Sequence, residues 1–368
     1  MKIETMIYIY LAICICMIVY NCIYVFILRH NENKLGNYAA RYNVLIEEQI
    51  NRLENGLEIS ESHKDYLRKK LGSVSHLTAF DKSMENIYNE DYEKAQKYLF
   101  EIFSVFMYLS IEYHGKDTIQ AAYFPYILGK YDILDNENFD IITEIMYDLL
   151  SSEDIYCREN ALGAIYSRGD VESVIRALEI IDDNSAFHHP KLISDGLLKF
   201  DGDMTSLINA LLDNFDVYSQ KMQLNILNFI RFSSVRCDDA MLAIMTDETK
   251  NHELHFSCIR YFEKYPCEKA RVPIQDFAEN LENRIWEYQS IASSALRSYP
   301  DERTTEILTK NLSNRNWYVR LNSAVSFEKM GFTYYDLINV FEGEDRFARE
   351  ILRYQFDRRD AQKEVADA

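Results

Sequence analysis

Seven stretches of this chain share one spacing, and that spacing restricts the fold more than any other feature. Anchored at Arg158, Pro190, Gln220, His255, Gln289, Arg320 and Arg349, they follow one another at 32, 30, 35, 34, 31 and 29 residues. The residue seven beyond each anchor is Ile165, Leu197, Leu227, Phe262, Leu296, Phe327 and Phe356, apolar every time. Seven residues make two helical turns, so anchor and apolar residue share a helix face and one inner stripe recurs in each unit. Four residues before the anchor stand Asp154, Asp216, Asn251, Asn316 and Asp345. Such side-chain oxygens accept an orphan backbone N–H at a helix start. The pairs Asp154/Arg158 and Asp345/Arg349 also offer an electrostatic contact, and Asn316/Arg320 a neutral version of it. Several anchored helices follow another, at residues 171–181, 204–213, 240–246, 304–312 and 335–341. The unit is therefore a helical hairpin of about 32 residues, and a stack of such units is an α-solenoid.

The segments LSSEDIYCRENALGAIYSRGD and LSNRNWYVRLNSAVSFEKMG carry a resemblance. Their leucine-ended first helix, Asp/Asn turn, Cys157-Arg158 and Val319-Arg320 steps and following small residues resemble HEAT repeats, of the short phycobilisome-lyase type. The resemblance covers residues 137–357, with a degenerate earlier unit around 117–128; the Pro190 and Gln289 units depart from it by lacking both acidic cap and arginine. The tetratricopeptide pattern does not recur, and the ankyrin Thr-Pro-Leu-His is absent. The resemblance implies an α-solenoid of HEAT-like hairpins with an interaction surface for a protein partner; with the apolar segment at residues 6–28 the expected fold is all-α, a transmembrane helix followed by that α-solenoid. It implies an alternative too, a HEAT-like lyase or other ligand-handling protein with a catalytic or cofactor role. Some members resemble bilin lyases and others DNA-repair glycosylases; the latter role needs a basic face.

Charge speaks against that face. Lys and Arg total 40 against 59 Asp and Glu, a net charge of −19, which disfavours nucleic acid as the main partner and favours a protein with basic contact surfaces. With 11 Gly and 5 Pro in 368 residues, turn-rich all-β folds are disfavoured as well.

Residues 6–28 are 23 positions with no formal charge and a single amide, Asn21. A helix of that length is roughly 34 Å long, enough for a hydrocarbon core of about 30 Å. The run is too long for a cleavable leader and ends in bulky residues, so it reads as a permanent single-pass anchor. Lys2 precedes it, whereas Arg29, Lys34 and Arg41 follow, which places residues 1–5 outside and the remainder in the cytoplasm. Seven cysteines without framework spacing agree with a reducing compartment. Asn21 fits either an interhelical hydrogen bond or interfacial solvation. After the span, residues 29–36 read as a polar exit, 37–54 as a helix with Tyr38, Tyr42, Leu45 and Leu53 at helical spacing, and 57–89 as two short polar helices. One of these carries Lys64, Arg68, Lys69 and Lys70, a solvated face or a contact for anionic headgroups. The organisation is thus 1–5, span 6–28, juxtamembrane linker 29–90, cap 91–136 and repeats 137–368, with 98–111 as one buried helix in the cap.

No Walker-type loop, dinucleotide fingerprint, HExxH or paired CxxC occurs, so the expectation is a non-enzyme without cofactor or metal. His252, His255 and Cys258 fan across a helix and suit one tetrahedral ion poorly. Trp286 and Trp317, each near the start of a second helix, are candidates for interaction or for core packing, which solenoids favour. Asp154, Arg158, Asn316, Arg320, Asp345 and Arg349 are expected to be structural. The reading that joins these features is a membrane-anchored interaction scaffold, for example an accessory subunit of a polysaccharide-synthesising glycosyltransferase.

Overall fold

The computed structural model describes residues 3–116, 118–133, 140–184, 188–282 and 284–366. They are all-helical, with no strand among the described residues. The chain forms two compact units, Met1–His188 with Lys199–Gly202, and His189–Leu198 with Asp203–Ala368.

The first unit holds α1 (Ile3–Glu54), α2 (Glu61–Leu71), α3 (Val74–Glu90), α4 (Tyr92–Glu101), α5 (Phe103–His114), α6 (Thr118–Lys130), α7 (Asp140–Leu150), α8 (Ile155–Ser167) and α9 (Val171–Asp183). One helix near the N-terminus is long and apolar enough to cross a membrane, with none of its most apolar window buried in the protein. No helix begins near residue 37 as expected, because α1 runs unbroken for 52 residues from the apolar segment through the polar 29–36 stretch into the folded unit. Polarity alone does not end a helix: Arg, Glu, Lys and Leu propagate it well, no proline intervenes, and Gly36 alone costs only about 1 kcal/mol. Ala39, Tyr42, Ile46, Ile50 and Leu53 form its buried stripe, which packs on α3 and α4. Each large apolar member contributes roughly 1.5–3 kcal/mol. Termination comes at Gly56, whose φ of 72° closes a left-handed turn in which Gly56 N–H and Leu57 N–H donate to the carbonyls of Leu53 and Arg52.

Residues 98–111 are not the one buried helix expected: the chain breaks at Ile102 (φ −97°, ψ 12°) between α4 and α5, and Phe100, Tyr108 and Ile111 are exposed. The break lets Tyr98, Leu99 and Ile102 meet the core together with Phe106, Leu109 and Tyr113. A buried carboxylate ties α3 to α6, with Asp81 accepting from the hydroxyls of Tyr131 (2.6 Å) and Tyr123 (2.8 Å) and from Lys130 Nζ (2.8 Å). Three charge-assisted bonds offset the cost of burying that charge. The boundary expected at residue 137 lies outside the described residues.

The second unit holds α10 (Pro190–Leu197), α11 (Met204–Asp213), α12 (Gln220–Phe232), α13 (Asp238–Thr246), α14 (His252–Lys264), α15 (Glu268–Glu279), α16 (Trp286–Ala295), α17 (Glu302–Asn311), α18 (Trp317–Lys329), α19 (Ile338–Phe341) and α20 (Arg346–Ala366). Helices α10, α12, α14, α16, α18 and α20 pack each on the next, as do α13, α15 and α17. Pairs α13–α14, α15–α16, α17–α18 and α19–α20 join the two rows. All seven apolar residues of the repeat stripe are at most 1% exposed. Proline starts α10 behind His189, as its missing N–H allows. One expected cap is displaced: Asp216 sits in a short 3-10 turn, Phe215–Val217, and α12 is capped by Ser219, whose hydroxyl accepts from Met222 N–H.

His63, 5% exposed, lies 2.8 Å from the Tyr98 hydroxyl through Nε2. Burial pushes its pKa down from 6.5 to about 4. Between those values the unfolded chain binds a proton that the folded chain refuses, so stability falls as pH drops through that window. His63→Gln should flatten the acid side of the stability profile. The wild-type chain should lose about 2 kcal/mol more than the variant between pH 7 and 5, read from denaturant melts followed by circular dichroism.

Candidate interaction surface

The three arginine-bearing units build the same turn. Asp154 accepts from Tyr156 N–H (2.8 Å) and Cys157 N–H (3.1 Å), Asn316 from Tyr318 N–H (2.8 Å), and Asp345 from Phe347 N–H (2.8 Å) and Ala348 N–H (3.1 Å). Each arginine then donates backwards to the turn that ends the preceding helix. Arg158 Nη1 reaches the carbonyls of Ser152 (2.6 Å) and Glu153 (3.0 Å), Arg320 Nη1 those of Asn314 (2.7 Å) and Arg315 (3.1 Å), and Arg349 Nη1 that of Gly343. Orphan donors at one helix start and orphan acceptors behind them are thus satisfied by two side chains four residues apart. Two residues beyond the arginine, Asn160 donates to the Ala122 carbonyl (2.8 Å) and Asn322 to that of Ser290 (2.9 Å), tying α8 to α6 and α18 to α16. Asp345 is held below the usual carboxylate range by a hydrogen bond from Ser313 and by N–H groups of its own helix, with Arg320 adding to the effect.

Between cap and arginine each unit carries an aromatic: DIYCR, NWYVR and DRFAR. The structure turns all three outward, Tyr156 at 70%, Tyr318 at 55% and Phe347 at 64% exposure. Trp286 and Trp317, expected mainly to fill the core, are 41% and 48% exposed. They sit at the first position of their helices, where the chain enters from the turn and the buried stripe has not begun. Trp286 stacks on Tyr318 with ring centres 5.6 Å apart and planes 18° apart. Trp317 meets Tyr318 edge-on at 5.1 Å, and the Arg320 guanidinium lies 5.3 Å from the Phe347 ring centre. Rings at the starts of α16 and α18 thus pack together, and Arg320 of α18 reaches Phe347 at the start of α20. Tyr318 and Phe347 escaped the sequence reading, although the Asp/Asn-x-Tyr/Phe-x-Arg spacing marks both.

The remaining candidates are placed as follows. Asn21 lies on the exposed part of α1. His255 is buried with both ring nitrogens engaged, Nδ1 accepting from the Tyr288 hydroxyl (2.6 Å) and Nε2 donating to the Asp247 carbonyl (2.9 Å). Burial lowers its pKa and raises that of Cys258. Among the described residues no cluster of three His, Cys, Asp or Glu is placed to hold a metal. A cavity of about 450 Å³ beside His255 is lined by Phe277, Asp276, Glu248 and Arg284. Its charges are matched internally, Arg284 with Glu282 and Glu248, and Asp276 with Arg303.

No family model matches the chain, and no curated protein matches it in sequence. Among solved structures, human deoxyhypusine hydroxylase in complex with glycerol is similar over 81% of this chain and 96% of its own, at 14% identity and a TM-score of 0.28. That likeness is too low to bear on what this chain does.

Arg158→Gln should cost more stability than Arg320→Gln, because Arg158 is 2% exposed and Arg320 half-buried. Losses of about 3 and about 1.5 kcal/mol are expected in denaturant melts. Tyr318→Ser should cost under about 0.5 kcal/mol, as an exposed ring contributes little to folding.

Proposed function

We propose that this protein is a membrane-anchored interaction scaffold. The apolar part of α1 crosses the membrane, with the short N-terminus outside. The remaining helices, arranged as HEAT-like hairpins of an α-solenoid, lie in the cytoplasm and present a surface to a protein partner at or in the membrane. The observation that carries this reading is the exposed aromatic cluster Trp286–Tyr318–Trp317, with Phe347 joined to it through Arg320. An exposed ring contributes little to folding, yet here Asn316 and Arg320 fix the start of α18 that carries Trp317 and Tyr318, and Trp286 stacks on Tyr318. Rigid, exposed Trp and Tyr beside Arg are the residue types that dominate binding hot spots. The chain's net charge of −19 favours a partner whose contact surface is basic.

Two measurements test the proposal. In vivo cross-linking of the full-length chain should trap a discrete partner. Trp286→Ala with Tyr318→Ala should reduce that product about tenfold or more while leaving the melting curve unchanged, and raised salt should weaken capture further. Turnover or a stoichiometric cofactor in the purified protein with no partner present would overturn the reading and favour a lyase-like role. For topology, Val217→Cys places a thiol at a site 76% exposed. A membrane-impermeant maleimide should label it only after lysis; labelling in intact cells would reverse the orientation.

A further inference from the structure

Asn21 is the single amide in the uncharged segment 6–28. The middle of that segment is Met17, and Asn21 lies four residues beyond it, about 6 Å along the helix axis. With a hydrocarbon half-thickness of about 15 Å, roughly 9 Å of apolar layer separate it from the headgroups. A side chain as short as asparagine does not span that distance, so solvation at the interface is closed to it. Its amide has no hydrogen-bond partner among the described residues. An unpaired amide in hydrocarbon is costly, since nothing there replaces the water it gave up.

Among the described residues no other part of the chain can supply the partner. None of the most apolar window of α1 is buried, and no second helix is long and apolar enough to cross a membrane. Asn21 also closes a groove on α1, lined by Ala12, Ile13, Cys16, Met17, Tyr20 and Asn21. These form two neighbouring rows at i, i+4 and i+8, with Ala12, Cys16 and Tyr20 in one and Ile13, Met17 and Asn21 in the other. Ala12 and Cys16 are small and one turn apart, so a second helix backbone can approach closely there. Met17 and Tyr20, 60% and 68% exposed, stand as the ridges beside them.

A second copy of the chain meets each requirement of this face. An amide carries both a donor and an acceptor, so two Asn21 side chains related by a two-fold axis satisfy each other. Parallel copies set both amides at one depth, because the same apolar segment fixes each. An unrelated helix would need its own polar group at that depth. We propose that the protein pairs with a second copy of itself through this face. Ala12 and Cys16 meet their counterparts across the axis, and the two Asn21 amides are hydrogen-bonded to one another. The pairing rests on the membrane reading above.

The three native cysteines of the span supply the test. At about 100° per residue, Cys14 and Cys22 lie about 160° and about 120° round the helix from Cys16. Copper-phenanthroline oxidation of membranes holding the full-length chain should give a disulfide-linked species of twice its mass. Cys16→Ala should abolish that species, while Cys14→Ala and Cys22→Ala should leave it. Asn21→Leu should lower its yield about fivefold or more, and Asn21→Gln, which keeps the amide, should retain most of it. No dimer from the wild-type chain, a dimer that survives Cys16→Ala, or an undiminished yield from Asn21→Leu would overturn the pairing. A disulfide from Cys16 to a different protein would overturn it too, in favour of an unrelated partner helix. Alkaline carbonate extraction separates the pairing from the anchor. Chain kept in the pellet without a Cys16-dependent dimer overturns the pairing alone; chain released by carbonate overturns both.

Discussion

A helical hairpin leaves carbonyls without partners where its first helix ends and N–H groups without partners where its second begins. In this protein a two-residue device closes both sets at once. The Asp or Asn caps the incoming helix, and an arginine one turn later reaches back to the carbonyls six and five residues before it. The geometry works because a four-residue step puts both side chains on one side of the helix start. Arg158, Arg320 and Arg349 each do this, with the guanidinium on the i−6 carbonyl in every case. His255 serves the same end by a different route, donating to Asp247 O eight residues back. With the turns closed this way, each second helix meets its neighbour at a fixed register, and the Asn160 and Asn322 bonds add a tie between successive helices.

That register decides what faces outward. Cap and arginine point into the turn, and the residue midway between them, two from each, is carried to the opposite side. An aromatic placed there is held out by the same bonds that close the hairpin. Losing the arginine would therefore loosen the display as well as the fold, whereas losing the aromatic touches the display alone. This asymmetry is what makes the surface separable from the scaffold that carries it.

The repeat was legible because it rests on periodicity: the seven stripe residues are apolar in the sequence and buried in the structure. Caps at Asp154, Asn251, Asn316 and Asp345 were legible for the same local reason. Asp216 was misread because the 3-10 turn consumes the residues between it and α12, and a competing hydroxyl, Ser219, stands closer to the helix. The unbroken α1 was missed because a change of polarity was taken for a change of backbone. The exposure of Trp286 and Trp317 was missed because hydrophobicity states what a side chain prefers, and a fixed register can override the preference.

The unbroken α1 also bears on orientation. The positive-inside bias is counted along the chain within about 15–20 residues of a span, and by that count the side following the apolar segment holds Arg29, Lys34 and Arg41. Because α1 passes without interruption into the packed stripe of Ala39, Tyr42 and Ile46, these cations are held at a set height from the end of the apolar segment. A flexible linker would let such charges scatter. A continuous helix keeps them at fixed spacings along its axis, Arg29 and Arg41 about 18 Å apart, so that on the proposed reading those nearest the apolar segment act on an anionic leaflet, at about 1 kcal/mol each. On the proposed reading, the same rigid connection that anchors the first unit also sets how closely it approaches the bilayer.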